Sequence, residues 1–173
     1  MKKSAISPMP AFFDRYINIV DDIDILEAFQ LYAPDSIYSN IPKISEVGDR
    51  VYQPGKWTVK DILQHVIDNE RIMAYRALRF SRNDKTVLPG YDEELFAANT
   101  NAANRTVADL MLEFNEIRLS TISLFRGMND EMMLRSGVAY KSEISALALA
   151  FVIIGHSIHH MRIIEERYFP LVL

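Results

Sequence analysis

The chain has no cysteine, which excludes disulfides, a cysteine nucleophile and any thiolate metal site. A cysteine-free sequence fits a reducing compartment. No basic patch stands out: net charge is −4, and the nearest run of cations, Arg71, Arg76, Arg79 and Arg82, is interrupted by Glu70 and Asp84. That argues against a nucleic-acid partner and reads as helix salt bridging, with Arg76 expected to meet a carboxylate on another helix. No apolar run is long enough to cross a bilayer. The most apolar stretch, 146–154, reads as a buried helix segment, so no membrane partner is expected. The first residues, MKKSAISPMPAFF, carry two lysines but no apolar core, so they are not a signal peptide. A cytoplasmic protein is the expectation. The motifs G-x-S-x-G, P-loop and G-x-G-x-x-G are also missing.

The 173 residues suit one domain, 1–173, with residues 1–10 as a loose arm holding Pro8 and Pro10. Residues 11–20 read as a short helix or turn. Ile25, Leu26, Phe29, Tyr32 and Ala33 have helical spacing within 22–40, and Pro34 should kink or break that helix. Residues 41–56 hold two prolines and two glycines and read as a loop. Thr58 and Asp61 form a capping pair that opens a helix to about Ser81. After a loop at 82–91 and a short helix at 92–101, Thr106 and Asp109 repeat the device for a helix to about Met128. Residues 130–135 give at most a helical turn. Ser142 starts the last long helix, which runs to Tyr168. No segment alternates with period two. The predicted fold is all-α: an up-down four-helix bundle with short extra helices.

Only four histidines exist, and three stand in G-H-S-I-H-H, 155–160. His156 and His160 differ by only ~40° around a helix, so two imidazoles can share one ion. Leu149, Val152 and Ile153 place that face inside the bundle. A pair made by His156 and His159 is the geometric alternative. His65, flanked by Ile62, Asn69 and Ile72, also points inward, and facing helices can jointly supply ligands. His65, His156 and His160 are therefore the candidate metal ligands, leaving positions open to water or substrate as catalytic sites do. The plainer alternative is three hydrogen-bonded core histidines. Asp61 and Asp68 flank His65 at i−4 and i+3. Asp68 is the candidate proton acceptor or imidazole orienter, against a plain surface carboxylate. Asp61 reads as the helix cap, and Trp57 as a core plug.

The stretches Tyr52–Arg71 (Y-Q-P-G-K-W-T-V-K-D-I-L-Q-H-V-I-D-N-E-R), Y-R-A-L-R-F at 75–80, L-P-G-Y-D-E at 88–93 and G-H-S-I-H-H together resemble the DinB-like (YfiT-like) metalloenzyme superfamily. The resemblance implies a four-helix bundle with a three-histidine divalent metal centre on His65, His156 and His160. It further implies a transferase that activates a low-molecular-weight thiol, such as bacillithiol or mycothiol, at the metal. The alternatives are a hydrolase using metal-bound water, or a non-catalytic small-molecule or metal-binding module. All-imidazole ligation suits zinc or nickel, and also iron or copper. A small-molecule substrate and a two-fold homodimer are the expected partners.

Overall fold

A computed structural model describes residues 1–172. Three helices run uninterrupted: α5 (Val59–Ser81), α7 (Val107–Arg126) and α9 (Ala146–Ile163). Shorter helices precede α5: α1 (Asp14–Ile17), α2 (Ile25–Leu31), α3 (Pro34–Ile37) and α4 (Ile41–Val47). Two more, α6 (Glu93–Ala98) and α8 (Asp130–Leu134), lie in the later connections. The fourth side of the bundle is thus the broken run α2–α3, split where Pro34 takes the first helical position of α3. The all-α bundle predicted from the sequence is the fold observed.

Both capping pairs are complete. The Thr58 hydroxyl accepts from the Asp61 N–H while the Asp61 carboxylate accepts from the Thr58 N–H, and Thr106 with Asp109 does the same. Asp61 is accordingly occupied as a cap. These reciprocal bonds satisfy N–H groups that the first helical turn cannot.

The differences from the sequence reading lie between the long helices. Residues 41–47, expected as loop, form α4, because Pro42 sits in its first turn and the Asn40 side chain accepts from the Lys43 N–H. Ser142 does not start the last helix. Ser136–Ala139 (β1) and Ser142–Ser145 (β2) pair as an antiparallel hairpin around Tyr140 and Lys141, and Ser145 caps α9. Tyr140 takes φ 57°, a left-handed conformation, and its N–H reaches the Leu88 carbonyl at 2.7 Å. The first ten residues are not a loose arm either. The N-terminal ammonium meets Asp24 at 2.6 Å, the Met1 carbonyl accepts from the Ile25 N–H, and Ile6 is buried.

From Ala146 to Ser157 every residue of α9 is buried. The helical run Ala146–Val172 is long and apolar enough for a membrane span by length and composition, yet 72% of its most apolar window is buried within the bundle. Gly155 is the point of closest approach: a Cβ there would stand 2.0 Å from the Tyr16 carbonyl oxygen. The α1 backbone therefore rests directly on α9.

Glu70 of α5 and Arg118 of α7 form a buried ion pair, their side chains 1% and 2% exposed. Arg118 Nε and Nη2 each donate to the carboxylate at 3.0 Å, and Nη1 donates to the Tyr32 carbonyl at 2.7 Å. The guanidinium also stacks between Phe29 and Phe114.

Removing one partner strands the other charge. Glu70→Ala is expected to lower unfolding free energy by about 3–5 kcal/mol in urea titrations. The double replacement Glu70→Leu/Arg118→Met should cost clearly less than the sum of the single changes. Gly155→Ala meets backbone rather than a movable side chain, so a loss of roughly 1–3 kcal/mol is expected.

Candidate metal centre

His65 comes from the second turn of α5, and His156 and His160 stand one turn apart on α9. The contact between these two helices brings one ring nitrogen of each within 4.8 Å of the others. His156 Nε2 lies 3.2 Å from His65 Nε2 and 3.1 Å from His160 Nε2. The three sequence candidates are thus brought together. His159 is half-buried on another face of α9, with its ring edge against Tyr16, and is outside the trio.

Hydrogen bonding alone accounts poorly for this arrangement. A neutral imidazole Nε2 offers either one lone pair or one N–H. His156 Nε2 would have to share that single capacity between two neighbours. Three lone pairs converging on one cation need no such sharing. Nitrogens on one tetrahedral zinc ion stand about 3.3 Å apart, given metal–nitrogen distances of about 2.0–2.1 Å. The observed separations fit that spacing.

Burial also holds the rings neutral. It lowers His65 from the ordinary 6.5 to about 4. His160 falls to about 3, by burial and then by His65 and His159. His156 falls well below 6.5, by burial and then by the other histidines and Arg15. Lone pairs are therefore free at neutral pH, the state in which imidazole binds a metal. His160 Nδ1 is buried without a hydrogen-bond partner. The Trp57 ring, half-buried rather than a core plug, tilts over His65 at 4.9 Å and donates from Nε1 to Glu94.

Asp68 is not brought to the cluster. Its Oδ1 accepts from Gln64 Nε2 at 3.0 Å and Arg71 Nη1 at 3.2 Å, and it lines a separate hollow with Leu95, Phe96, Asn99 and Thr100. One turn along α5 its side chain simply leaves the helix on another side. The carboxylate that does approach is Glu93, at the start of α6. With Asn69, Tyr16 and His156 it lines a cavity of about 80 Å³. Burial raises the Glu93 pKa, opposed by Arg15. Glu93 closes the L-P-G-Y-D-E stretch, and its neighbour Asp92 caps α6. That stretch was the available signal, but nothing in its spacing points toward residue 156. A larger hollow, about 590 Å³ between Ile19, Tyr32, Ile37 and Glu165, contains none of the three histidines.

Comparison with known proteins places this geometry in context. No curated protein matches the chain. Among solved structures, YfiT from Bacillus subtilis is similar, with a TM-score of 0.68 over 96% of this chain and 90% of that one, at 19% identity. It is described as a probable metal-dependent hydrolase with an unusual four-helix bundle topology. At that identity the likeness is one of fold. The sequence profile of the DinB superfamily matches residues 39–164, which span α5, α7 and all three clustered histidines, and the chain belongs to that superfamily.

Proposed function

We propose that the protein is a metal-dependent hydrolase whose ion sits on His65, His156 and His160. The observation that carries this reading is the convergence of three imidazole nitrogens within 4.8 Å of one another, two from buried rings and one from the half-buried His160, with His156 Nε2 at 3.2 and 3.1 Å from its two neighbours and beside a small cavity. Three protein ligands leave a divalent cation a position for water, whose pKa it lowers, and make it a Lewis acid toward an acyl oxygen. Zinc or nickel suits such a donor set.

The chain's own residues supply the rest. Glu93, lining the cavity with His156, is the proton acceptor: its carboxylate takes a proton from the attacking water and returns it to the leaving atom. The water oxygen bonds to the acyl carbon as the bond to the leaving group breaks, so the step consumes one water and no redox partner. Partial burial favours this role, because it raises a carboxyl pKa toward the working pH. Phe12, Phe13 and Met73 give the cavity its apolar walls.

Thiol transfer, the activity implied first by the sequence resemblance, lacks comparable support. The description of YfiT favours hydrolysis instead.

The test is turnover of a panel of esters and amides by metal-loaded protein, with and without added thiols. Hydrolysis without thiol that a chelator abolishes is expected. Turnover that requires a thiol would return the assignment to a transferase. Glu93→Gln should lower the rate by roughly 10²–10⁴-fold while metal content, read by elemental analysis, stays unchanged. His65→Ala and His160→Ala should lose the metal, whereas His159→Ala should keep it.

The histidines also predict a pH dependence of the metal-free fold. Their folded pKa values lie below the unfolded value of 6.5. Their contribution is then complete above about 6.5 and is lost as pH falls toward about 4 and 3, because the unfolded chain binds protons that the folded one refuses. Urea midpoints measured from pH 7.5 to 4 should fall less steeply in His65→Gln/His160→Gln than in wild type.

A further inference from the structure

Arg76 is 6% exposed, yet no carboxylate pairs with it among the described residues. The expectation of an ion pair to another helix fails. Its guanidinium donates from Nη2 to the Pro89 carbonyl at 2.9 Å and touches Met73 Sδ at 3.6 Å. Burial lowers its pKa, and Tyr91 is the neighbour that opposes this. A buried cation without a counter-ion carries an unmet desolvation cost. Every other guanidinium on α5 with an ion pair has a named acid: Arg71 has Asp68 and Glu113, and Arg79 has Asp84.

Arg76 lines a cavity of about 320 Å³. Phe12, Phe13, Met73 and Glu93 line both this cavity and the smaller one that reaches His156. The two are neighbouring compartments separated by shared walls. Along α5, His65, Asn69, Met73 and Arg76 follow one another at helical spacing as one stripe, of which Asn69, Met73 and Arg76 line the two compartments. Asn69 supplies a second unmet group. It is 3% exposed, its Nδ2 donates to the Tyr91 hydroxyl at 2.8 Å, and its Oδ1 is buried with no partner. Asn69 lines the compartment that His156 also lines, one helical turn along α5 from His65.

We propose that the outer compartment seats the carboxylate of an elongated acyl substrate on Arg76, while Asn69 Oδ1 accepts an N–H near the reacting bond. Which bond reacts rests on the hydrolytic reading; the carboxylate seat does not. The substrate class is an amide bearing a carboxylate some way along its chain. From His65 to Met73, beside which the guanidinium lies, is eight residues, or about 12 Å along the helix axis. That sets the reach between the reacting bond and the acid. The walls choose the acid. One guanidinium among Phe12, Phe13, Met73 and Tyr140 balances a single charge on an apolar chain. Glu93 at the junction disfavours a dianion such as phosphate. Lys141, exposed on the hairpin turn at the outer wall, has its ammonium over the Tyr140 ring at 5.0 Å.

The experiment uses metal-free wild-type protein, so that its outcome is independent of hydrolysis. Hexanoate and its neutral analogue hexanamide are titrated by calorimetry and by methyl NMR of methionine. Hexanoate is expected to bind roughly tenfold or more tightly than hexanamide, as a charge-assisted hydrogen bond warrants. It should shift the Met73 methyl signal and leave Met161, in the separate hollow near Arg162, unmoved. Arg76→Met should erase the preference for the anion, and Arg76→Lys should keep part of it. The Met73 signal in wild type decides the matter even where a variant fails to fold. Equal binding of hexanoate and hexanamide, or hexanoate binding that leaves Met73 unshifted, overturns the proposal. A carboxylate seat that passes this test in a protein without metal-dependent turnover leaves the seat standing and removes the hydrolytic reading.

Discussion

The apolar circumference of α9 constrains the whole molecule. From Ala146 to Ser157 it has no side left for solvent, so other elements must cover it all round. The long α5 takes one side, and the short α1, α2 and α3 take others. This is the physical reason that two imidazoles on α9 become candidate metal ligands and not surface polar residues. His156 inherits the burial of the helix that carries it. An ordinary imidazole placed there would face a desolvation cost with nothing in return, and His65 and His160 are positioned to share one cation with it.

The two buried guanidiniums of the interior make an instructive contrast. Arg118 is neutralised and well partnered: the Glu70 carboxylate takes its Nε–Nη2 edge, the Tyr32 carbonyl accepts from Nη1, and aromatic rings cover its faces. It ties α5 to α7 with its charge already paired. Arg76 has one carbonyl and one sulfur. Both residues are buried, Arg76 at 6% and Arg118 at 2% exposed, so burial alone does not distinguish a structural cation from a receptive one. The inventory of partners does.

The sequence made the long elements legible because their signals are local. Thr58 with Asp61 and Thr106 with Asp109 announce helix starts through bonds spanning three residues, and both pairs form. The spacing of His156 and His160 likewise needs only helix geometry. What escaped depends on contacts distant in sequence. The strands Ser136–Ala139 and Ser142–Ser145 are four residues each, too short for alternation to register, and their turn is Tyr140–Lys141 where a hairpin signal would be Asn-Gly. Part of that hairpin is fixed by Phe80, whose ring fills the space above Gly137 that a Cβ would need. Pro42 was read as a loop residue although proline is equally a helix opener. Asp68 lies near His65 in sequence and Glu93 does not, yet Glu93 is the acid that reaches the cavity of His156. Neither the isolation of Arg76 nor the orphaned oxygen of Asn69 has any trace in composition or periodicity.

The bare Cα of Gly155 has a temporal consequence. It lets Tyr16 lie against the turn that carries His156, so a wall residue from the start of the chain and a ligand from far along it meet across one backbone contact. Chains emerge from the ribosome in order, and folding follows emergence. A nascent chain displays His65 with neither α9 nor its two histidines to answer it. Until residue 160 is clear of the ribosome, no three-histidine pocket exists to capture an ion. The three-histidine cluster is therefore a property of the finished fold alone.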